Sequence, residues 1–363
     1  MSRCDGEQRD YMRIGVNATH LGTESHPLDE WYLRNLLHKV TELQPSIRFV
    51  VFTSEKSHDM FEGHDRLLVE KTMTVGRLFR SSSRPLESAI AKVGVDCVFS
   101  AMEFGPVKSS APCVAYALDP YDIETKATQS DRAARQAIEN ARQTCAAART
   151  VIAPSAYVRD ALLKTLGVAI NKVQIAPPGV DDIATDPQPA FVDPPYFLIA
   201  GGAVAASNAG RVVEAFRRLQ DELPHSLVVY GPAGSEERAT WGDRVLRIER
   251  CPTAHLTALY QHCAVCICPA LHDGAGLGVL RALRAGARVI AGRVGGVPAA
   301  AGNTPIYCNP DSDASIATAI RRALEESPEE RDAAIRGGRR IAAEFTWENC
   351  VWKTLLAFRK ETD

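Results

Sequence analysis

The chain has 363 residues, of which 45% are hydrophobic and 24% are charged, and its formal net charge at pH 7 is −2. This length predicts about two domains, and the composition is that of an ordinary globular protein. The near-neutral charge excludes a global basic field of the kind that attracts nucleic acid. No apolar run approaches the ~20 residues of a membrane-spanning helix. The opening stretch, MSRCDGEQRDY, contains no apolar signal core, so the expected location is the cytoplasm.

The first half of the chain alternates short apolar runs with longer helical patterns. Strands are predicted at residues 12–17, 49–53, 67–70, 97–101, 113–117, 150–153 and 172–176. Helices are predicted at residues 26–43, 84–93, 130–147 and 157–166. Strands that alternate with helices in this way are typical of a doubly wound α/β domain with a parallel sheet.

A segment rich in proline and aspartate, PPGVDDIATDPQPAFVDPP at residues 177–195, interrupts the alternation. Because it has no periodicity, we interpret it as the connection between two domains. We predict an N-terminal domain over residues 12–180, a linker over 181–195 and a C-terminal domain over 196–345. A last amphipathic helix over 346–363 is long enough to cross back toward the N-terminal domain.

The second half of the chain repeats the alternation. Strands are predicted at residues 196–200, 226–230, 245–248, 265–267 and 289–291, and helices at 211–219, 255–262, 316–324 and 329–343. Two similar α/β domains enclose a cleft, and ligands of such sheets bind beyond the carboxyl ends of the strands. Gly201, Gly202, Gly231 and residues 273–278 follow predicted strands, so we expect them to line one wall of that cleft.

A glycine-rich loop, Asp273-Gly274-Ala275-Gly276-Leu277-Gly278, precedes a helix that is predicted to reach Arg288 and to expose Arg281, Arg284 and Arg288 to solvent. Such a loop brings backbone N–H groups to a helix N-terminus, where an anionic group is stabilised. The acid at its mouth, Asp273, suits sugar hydroxyls. Two structural alternatives stay open: the loop is a tight turn that needs glycine, and Asp273 is the N-terminal cap of the helix.

The ten cysteines of the chain include a group, Cys263, Cys266 and Cys268, with His262 and His272 close by in sequence. A zinc site would need two ligand pairs presented by turns. Here the cysteines lie in a strand-like apolar run, where free cysteine behaves as a small buried hydrophobic residue. We therefore expect reduced core thiols and no metal.

The order of several short segments resembles the retaining glycosyltransferases of the GT-B fold, group 1 or family 4. In the N-terminal half the segments are residues 12–18 (MRIGVNA), 151–155 (VIAPS), 166–168 (LGV) and 178–181 (PGVD). In the C-terminal half they are Asn208 followed by residues 214–216 (EAF), then 273–277 (DGAGL), 294–298 (VGGVP) and 345–348 (FTWE). The resemblance implies two Rossmann-like domains with a cleft between them. It implies a nucleotide-sugar donor on the C-terminal domain as co-substrate, an acceptor on the N-terminal domain, and no further cofactor or metal.

The resemblance also implies roles for single residues. Asp273 orients the donor sugar, and Asp119 meets the acceptor. Backbone N–H groups of Gly202 and of residues 274–277 hold the diphosphate. The full set of implied donor-binding positions is Gly201, Gly202, Ser207, Asn208, Gly231, Gly274, Ala275, Gly276, Leu277, Arg281 and Arg293.

Four positions depart from the family pattern. Arg281 stands where the second of two acids is expected, eight positions after Asp273, and an arginine cannot accept the hydrogen bonds of ribose hydroxyls. Ser207 stands in place of a lysine that would neutralise the leaving diphosphate, and such electrostatic effects often dominate catalysis. Leu118 replaces a histidine, and residues 28–31 (LDEW) replace the small residues of a glycine loop, where an acidic, bulky segment would repel phosphate.

Two functions remain open from the sequence. The first is transfer of a hexose-type sugar from a nucleoside diphosphate to a saccharide or to a lipid-linked acceptor, the latter with peripheral membrane contact. The second is a catalytically inactive protein that keeps the GT-B fold as a binding or partner module.

Overall fold

The computed structural model of the chain describes residues 11–22, 27–69, 84–119, 132–201, 208–231 and 241–362. The chain divides into two compact units. Unit 1 comprises Met1–Pro177 and Trp347–Asp363, and unit 2 comprises Pro178–Thr346. Each unit contains one parallel sheet with helices packed on it, which confirms the predicted α/β fold class.

Unit 1 has a seven-stranded sheet in the order β3-β2-β1-β4-β5-β6-β7, and all of its strand pairs are parallel. The strands are β1 (Met12–Ala18), β2 (Ile47–Thr53), β3 (Asp65–Leu68), β4 (Cys97–Ala101), β5 (Cys113–Tyr116), β6 (Thr150–Ala153) and β7 (Val173–Ile175). The helices before the last one are α1 (Pro27–Leu43), α2 (Arg84–Val93), α3 (Arg132–Ala147) and α4 (Ala156–Leu166). Short 3-10 turns lie at His58–Phe61 and Ile170–Lys172.

Unit 2 has a six-stranded parallel sheet in the order β10-β9-β8-β11-β12-β13. Its strands are β8 (Tyr196–Ala200), β9 (Ser226–Tyr230), β10 (Val245–Ile248), β11 (Val265–Cys268), β12 (Val289–Gly292) and β13 (Ile306–Cys308). Its helices are α5 (Ala209–Arg217), α6 (Thr253–His262), α7 (Leu277–Ala285), α8 (Val297–Ala301), α9 (Asp313–Leu324) and α10 (Pro328–Ala342).

The central strands are buried on both faces because helices cover both sides of each sheet. This explains why they occur in the sequence as continuous apolar runs. β3 begins two residues earlier than predicted, at Asp65, because it is an edge strand that pairs only with β2. Its partly exposed residues carry no apolar periodicity. The elements α8 and β13, of five and three residues, were not predicted.

The last helix, α11 (Trp347–Thr362), belongs to unit 1. Its inner face carries Trp347, Val351, Leu355 and Phe358, which join the same core cluster as strands β1, β2 and β4. The ring of Phe358 lies edge-on to Phe99 of β4 at 5.4 Å. The helix therefore completes the core of a unit whose other residues all precede position 178.

The proline-rich segment before β8 is fixed on α6 within unit 2. Gln261 accepts a hydrogen bond from the backbone N–H of Gln188 and donates to the carbonyl of Asp186, each at 2.9 Å. His262 Nε2 lies 2.7 Å from the Gln188 carbonyl oxygen, and the Phe191 ring stacks on His255 at 4.3 Å. This part of the segment is therefore ordered against a helix.

No helix in the described part of the chain combines the length and the apolar character that a membrane span requires.

Candidate functional site

The sheet of unit 2 reverses its strand order between β8 and β11. Crevices at such points, outside the carboxyl ends of the strands, are the usual ligand sites of open α/β sheets. Asn208 bridges the loops around this point. Its side-chain amide donates to the carbonyl of Pro269 at 3.1 Å and to the carbonyl of Pro310 at 2.6 Å, which ties together the chain beyond β8, β11 and β13.

Asn208 has a left-handed backbone, with φ 57° and ψ 30°, and among the described residues it is the only one other than glycine with a positive φ. Asparagine tolerates this conformation better than most residues because its short polar side chain can bond locally. The structure therefore places the implied donor-binding residue Asn208 at the switch point, where it organises the loops.

The glycine-rich loop after β11 is organised by the Asp273 carboxylate. Asp273 Oδ1 accepts hydrogen bonds from the backbone N–H groups of Ala275 at 3.0 Å and Gly276 at 2.5 Å. The helix begins only at Leu277, and its N-cap is Gly276 with φ 72°. The alternative that Asp273 caps this helix is therefore wrong, because Asp273 lies four positions before the first helical residue and forms a turn within the loop instead.

A second loop, after β12, packs directly on the first. The backbone N–H of Gly296 donates to the Asp273 carbonyl at 2.9 Å. A side chain at Gly295 would collide with that carbonyl, and one at Gly296 would collide with the Gly274 carbonyl. The two glycines therefore permit a close backbone approach that fixes the conformation of residues 273–276.

Arg281 on α7 forms an ion pair with Asp182, with Nη2 2.8 Å from Oδ2. Both side chains are about three-quarters buried, at 28% and 25% exposure. Burial, and next the neighbouring Cys251 thiol, raises the pKa of Tyr230, while the positive charge of Arg281 acts against this shift. The family pattern places a second acid at position 281. This chain has Arg281 there, and its positive charge is neutralised by Asp182 from the start of unit 2.

The prediction of a solvated arginine face is wrong for Arg288. α7 ends at Ala285, followed by Gly286 with φ 94°, so Arg288 lies beyond the helix. Its side chain is buried and forms two hydrogen bonds with Glu326, at 2.7 and 2.6 Å. Arg281 and Arg284 are half-buried.

The other implied donor-binding residues also follow strands of unit 2. Gly201 (φ 133°) follows β8 and donates its N–H to the Tyr230 carbonyl, and Gly231 (φ 121°) follows β9 and donates to the Ile248 carbonyl. Arg293 follows β12 with its guanidinium 4.2 Å from the centre of the Tyr307 ring. Gly202 and Ser207 lie outside the described residues.

The sheet of unit 1 reverses its strand order between β1 and β4, and a polar network lies at the ends of these two strands. The buried Asn17 donates through Nδ2 to Ser100 Oγ and to the Phe104 carbonyl, both at 2.9 Å. Asn17 Oδ1 accepts from the backbone and the hydroxyl of Thr19. Asp119, the implied acceptor residue, is half-buried three residues beyond the end of β5.

Sequence analysis missed His20, which lies two residues beyond the end of β1 and packs beside this network. Its Nε2 is 3.4 Å from Asp29 Oδ2, and its ring stacks on Phe104 at 4.5 Å with an interplanar angle of 9°. The side chain of His20 is 2% exposed and that of Asp29 is 18% exposed. The only sequence signal was the position of His20 just after the first predicted strand. Residues 28–31, expected as an altered loop, form the first turn of α1 together with Pro27.

A groove of about 670 Å³ runs along α1 between Glu30 and His38. Trp31, Met60 and Phe61 contribute apolar surface to it, and Glu30 and Arg34 are among its polar groups. A volume of this size accommodates a small-molecule ligand.

The cysteines of the described ranges are free thiols. Cys266 and Cys268 lie on the same face of β11 with their sulfurs 3.8 Å apart, and the Cys263 thiol donates to the Tyr260 carbonyl. Burial raises the pKa of Cys263 to about 12, which keeps this thiol protonated. The described residues contain no group of three or more side chains that could hold a metal ion.

Comparison with protein families gives two matches, one in each half of the chain. Residues 30–183 match the model described as Glycosyltransferase Family 4, and residues 194–326 match the model described as Glycosyl transferases group 1. The chain belongs to the group 1 glycosyltransferases. The two models together cover most of the residues, in the order that the sequence motifs predicted.

Solved structures confirm the GT-B fold of this glycosyltransferase. The chain is similar to sucrose-phosphate synthase from Thermosynechococcus elongatus, with 17% identity and a TM-score of 0.76, over 96% of this chain and 98% of that one. It is also similar to the Anabaena protein HepE in complex with UDP-glucose, with 14% identity and a TM-score of 0.73, over 96% and 100% of the two chains. At these identities the likeness establishes the fold alone.

Among curated proteins, the glycosyltransferase is similar to O-antigen chain mannosyltransferase B of Escherichia coli, with 25% identity over 174 residues. That alignment covers 45% of each chain. The chain spans about half the length of the curated relatives it matches.

Proposed function

We propose that this protein transfers a sugar from a nucleoside diphosphate donor to a saccharide acceptor, free or lipid-linked, with retention of the anomeric configuration. The observation that carries the proposal is the switch-point crevice of unit 2, where Asn208 joins three loops in a chain of the group 1 glycosyltransferases. A donor of this class is supported by HepE, which binds UDP-glucose in a chain of the same fold.

In this proposal the loop of residues 273–277 binds the donor. Ala275 and Gly276 donate to Asp273, so Asp273 holds the loop in place, and in this proposal its carboxylate orients the donor sugar. The N–H groups of Leu277 and Gly278 precede the first helical hydrogen bond, from Leu280 N to the Gly276 carbonyl. They therefore take the diphosphate. Gly201 and Gly231 allow close approach, and Arg293 supplies positive charge.

A binding module without catalysis is the second candidate, and the contacts of Arg281 favour it. Arg281 occupies the place of an expected acid and forms an ion pair with Asp182. The only carboxylate of this pair is therefore engaged by an arginine and does not replace the missing acid that would bind the ribose of the donor nucleotide. Under this alternative the crevice binds a nucleotide or a partner and releases it unchanged.

A thermal-shift screen against UDP, GDP, ADP, TDP and their common sugars tests donor binding. A ligand that binds only the native state stabilises it by about 2.7 kcal/mol at a hundred times its dissociation constant. Under the proposal one nucleotide stabilises the protein, and Asn208→Ala abolishes that shift. Asn208→Gly is the matched variant, because glycine adopts the backbone conformation of Asn208 without strain but lacks the amide that joins the loops.

Both Asn208 variants should lose the ligand-induced shift, whereas Gly337→Ala, which has open space around it in α10, should keep it. Release of free nucleotide from the donor then separates the two functions. Turnover supports the transferase, and binding without turnover of any donor in the panel supports the binding module. The absence of a shift with every nucleotide contradicts the transferase and favours a module that binds a partner.

A further inference from the structure

Two thiols lie in contact on one face of β11, where this strand reaches the switch point of the unit 2 sheet. Cys266 and Cys268 are two positions apart, so their side chains share a face, and their sulfurs are 3.8 Å apart. Cys268 is the last residue of β11. The carbonyl of the next residue, Pro269, accepts the amide hydrogen bond of Asn208 at 3.1 Å. The pair is therefore connected through one residue to the contact that organises the crevice.

The two thiols differ in their access to solvent. Cys266 is 0% exposed and belongs to the core between the sheet and helices α6 and α7, whereas Cys268 is half-buried at the end of the strand. A hydrogen bond with Cys268, and next burial, raises the pKa of Cys266 well above its usual value. Cys266 therefore keeps its proton at neutral pH, and its S–H donates to the Cys268 sulfur. A reagent that arrives from solvent meets Cys268 first.

The strand geometry brings the two residues close to the limit that a disulfide can bridge. At about 3.2–3.4 Å per residue, their Cα atoms are roughly 6.5 Å apart, near the upper end of the range that disulfides span. Cys266 pairs with Leu198 of β8 and with Val289 of β12, whereas the pairing with β8 ends there and Cys268 pairs with Ala291 of β12. The end of β11 that carries Cys268 is therefore the part that moves when the sulfurs approach each other. Disulfides that distort their surroundings are easily reduced, which is typical of regulatory disulfides.

We propose that Cys266 and Cys268 form a redox-sensitive dithiol that a peroxide converts into a disulfide. The Cys268 sulfur attacks one oxygen of hydrogen peroxide, the O–O bond breaks, water leaves and Cys268 becomes a sulfenic acid. The Cys266 sulfur then attacks the Cys268 sulfur and the S–O bond breaks. The proton of Cys266 leaves with the hydroxyl group as a second water. Two thiols lose two electrons to one peroxide, and the products are one disulfide and two waters.

The disulfide changes the crevice through the end of β11. It draws Cys268 toward Cys266 and so displaces Pro269, whose carbonyl holds the amide of Asn208. We expect the loop after β11 to become less ordered on oxidation and to regain its order when a dithiol reductant restores both thiols by exchange. This modification site goes beyond the proposed function, because neither its formation nor its effect on the loop requires a bound nucleotide.

Peptide mass spectrometry of the full chain after treatment with hydrogen peroxide tests the site. Trypsin releases residues 251–281 as one peptide, since this stretch contains no lysine or arginine before its last residue. The peptide contains Cys251, Cys263, Cys266 and Cys268. After oxidation, alkylation of the denatured chain should label two of these four thiols, and fragment ions should place the disulfide between Cys266 and Cys268. Treatment with dithiothreitol before alkylation should restore all four labels.

Single serine substitutions separate the roles of the two thiols. Cys266→Ser removes the thiol that resolves the sulfenic acid, so dimedone should trap Cys268 at least ~10-fold more than in the unmodified protein. Cys268→Ser leaves only the buried thiol and should give neither a disulfide nor a dimedone adduct. Cys263→Ser is the matched control, because the Cys263 thiol donates to the Tyr260 carbonyl and a serine hydroxyl retains that bond. This control should form the disulfide as the unmodified protein does.

Hydrogen exchange measured by mass spectrometry reports the effect on the crevice. Oxidation should increase exchange at residues 269–276 in the unmodified protein and leave it unchanged in Cys268→Ser. Four labelled thiols after peroxide treatment, or a disulfide that joins Cys263, would overturn the site. A disulfide between Cys266 and Cys268 that leaves exchange at residues 269–276 unchanged would overturn its effect on the crevice. Failure of the proposed function would be seen separately, in the nucleotide screen.

Discussion

Arg288 lies just beyond the end of α7, and its guanidinium is enclosed by Glu326 and backbone carbonyls. Nε and Nη2 bond both oxygens of Glu326, and Nη1 donates to the Thr304 carbonyl at 2.9 Å. The side chains of this pair are only 7% and 14% exposed. Removal of one partner from such a pair leaves the other charge buried and uncompensated, which is the costly case.

We expect Arg288→Ala to lower the free energy of unfolding by about 3 kcal/mol, because it strands the Glu326 carboxylate. Urea denaturation measures the change. Arg321→Ala is the control, since Arg321 pairs with Glu222 at 3.0 Å but both side chains are about half exposed. Its effect should stay below about 1 kcal/mol. Similar losses in the two variants would contradict the burial argument.

His225 links stability to pH. Burial, and next the positive charge of Arg244, lowers the pKa of this histidine from its usual 6.5. Well above pH 6.5 the residue is neutral in both states. As the pH falls below 6.5 the unfolded chain binds a proton more readily than the folded one, so the folded state loses stability until the pH reaches the lowered pKa.

The variant His225→Phe keeps the ring stacked on Phe197 and removes this titration. We expect its free energy of unfolding to fall less steeply between pH 7 and pH 5 than that of the unmodified protein. Chemical denaturation at several pH values measures the two slopes. Identical slopes would show that His225 titrates in the same way in the folded and unfolded states.

At the scale of elements, the contact between α7 and α10 depends on one glycine. A Cβ at Gly338 would lie 2.6 Å from Leu283 Cδ2, whereas a Cβ at the neighbouring Gly337 would meet nothing within 4 Å. Both residues lie inside α10, where glycine is less favourable than alanine by roughly 0.5–1 kcal/mol. Position 338 therefore requires glycine, whereas alanine fits at position 337.

Gly337→Ala should raise the free energy of unfolding by roughly 0.5–1 kcal/mol through the helix propensity of alanine. Gly338→Ala should lower it by about 1 kcal/mol or more, because the added methyl group overpacks the helix contact. Thermal and urea unfolding of the two variants provide the comparison. A stabilising Gly338→Ala would mean that Leu283 changes rotamer at no cost.

At the scale of the whole molecule, the chain returns to unit 1 after it completes unit 2. Trp347, at the start of α11, is 4% exposed and packs against Trp31 at 5.1 Å and Tyr32 at 5.9 Å. The stability of unit 1 therefore depends on residues from the far end of the sequence.

We expect Trp347→Ala to destabilise unit 1 by about 3–5 kcal/mol, since it empties a large buried site. Trp352→Ala on the same helix is the control, because Trp352 is 44% exposed and its loss should change stability by no more than ~0.5 kcal/mol. Hydrogen exchange measured by mass spectrometry should show the lost protection in unit 1 and not in residues 178–346. Lost protection spread equally over both units would contradict this assignment.

The helices and strands could be predicted because their periodicity is a local property of the chain. Apolar runs marked the buried parallel strands, and the amphipathic pattern from residue 347 onward marked the last helix. The helix α8 was missed because its five residues make little more than one turn, too few for a helical period to show, and β13 was missed as well. Gly276 and Asn208 could be named from motifs, and a tight turn that needs glycine was one reading of the loop, but the left-handed conformation of Asn208 had no signal in the sequence.

The sequence by itself determined the two parallel α/β units, the family, and the loops that follow the strands, since all of these depend on patterns within short stretches. Only the tertiary structure decided which side chains meet at the ends of the strands. Arg281 and Asp182 are 99 residues apart, and Asn208 and Pro310 are 102 apart. Strand order in a parallel sheet differs from chain order, so these contacts and the pairing of His20 with Asp29 and Phe104 have no local signature.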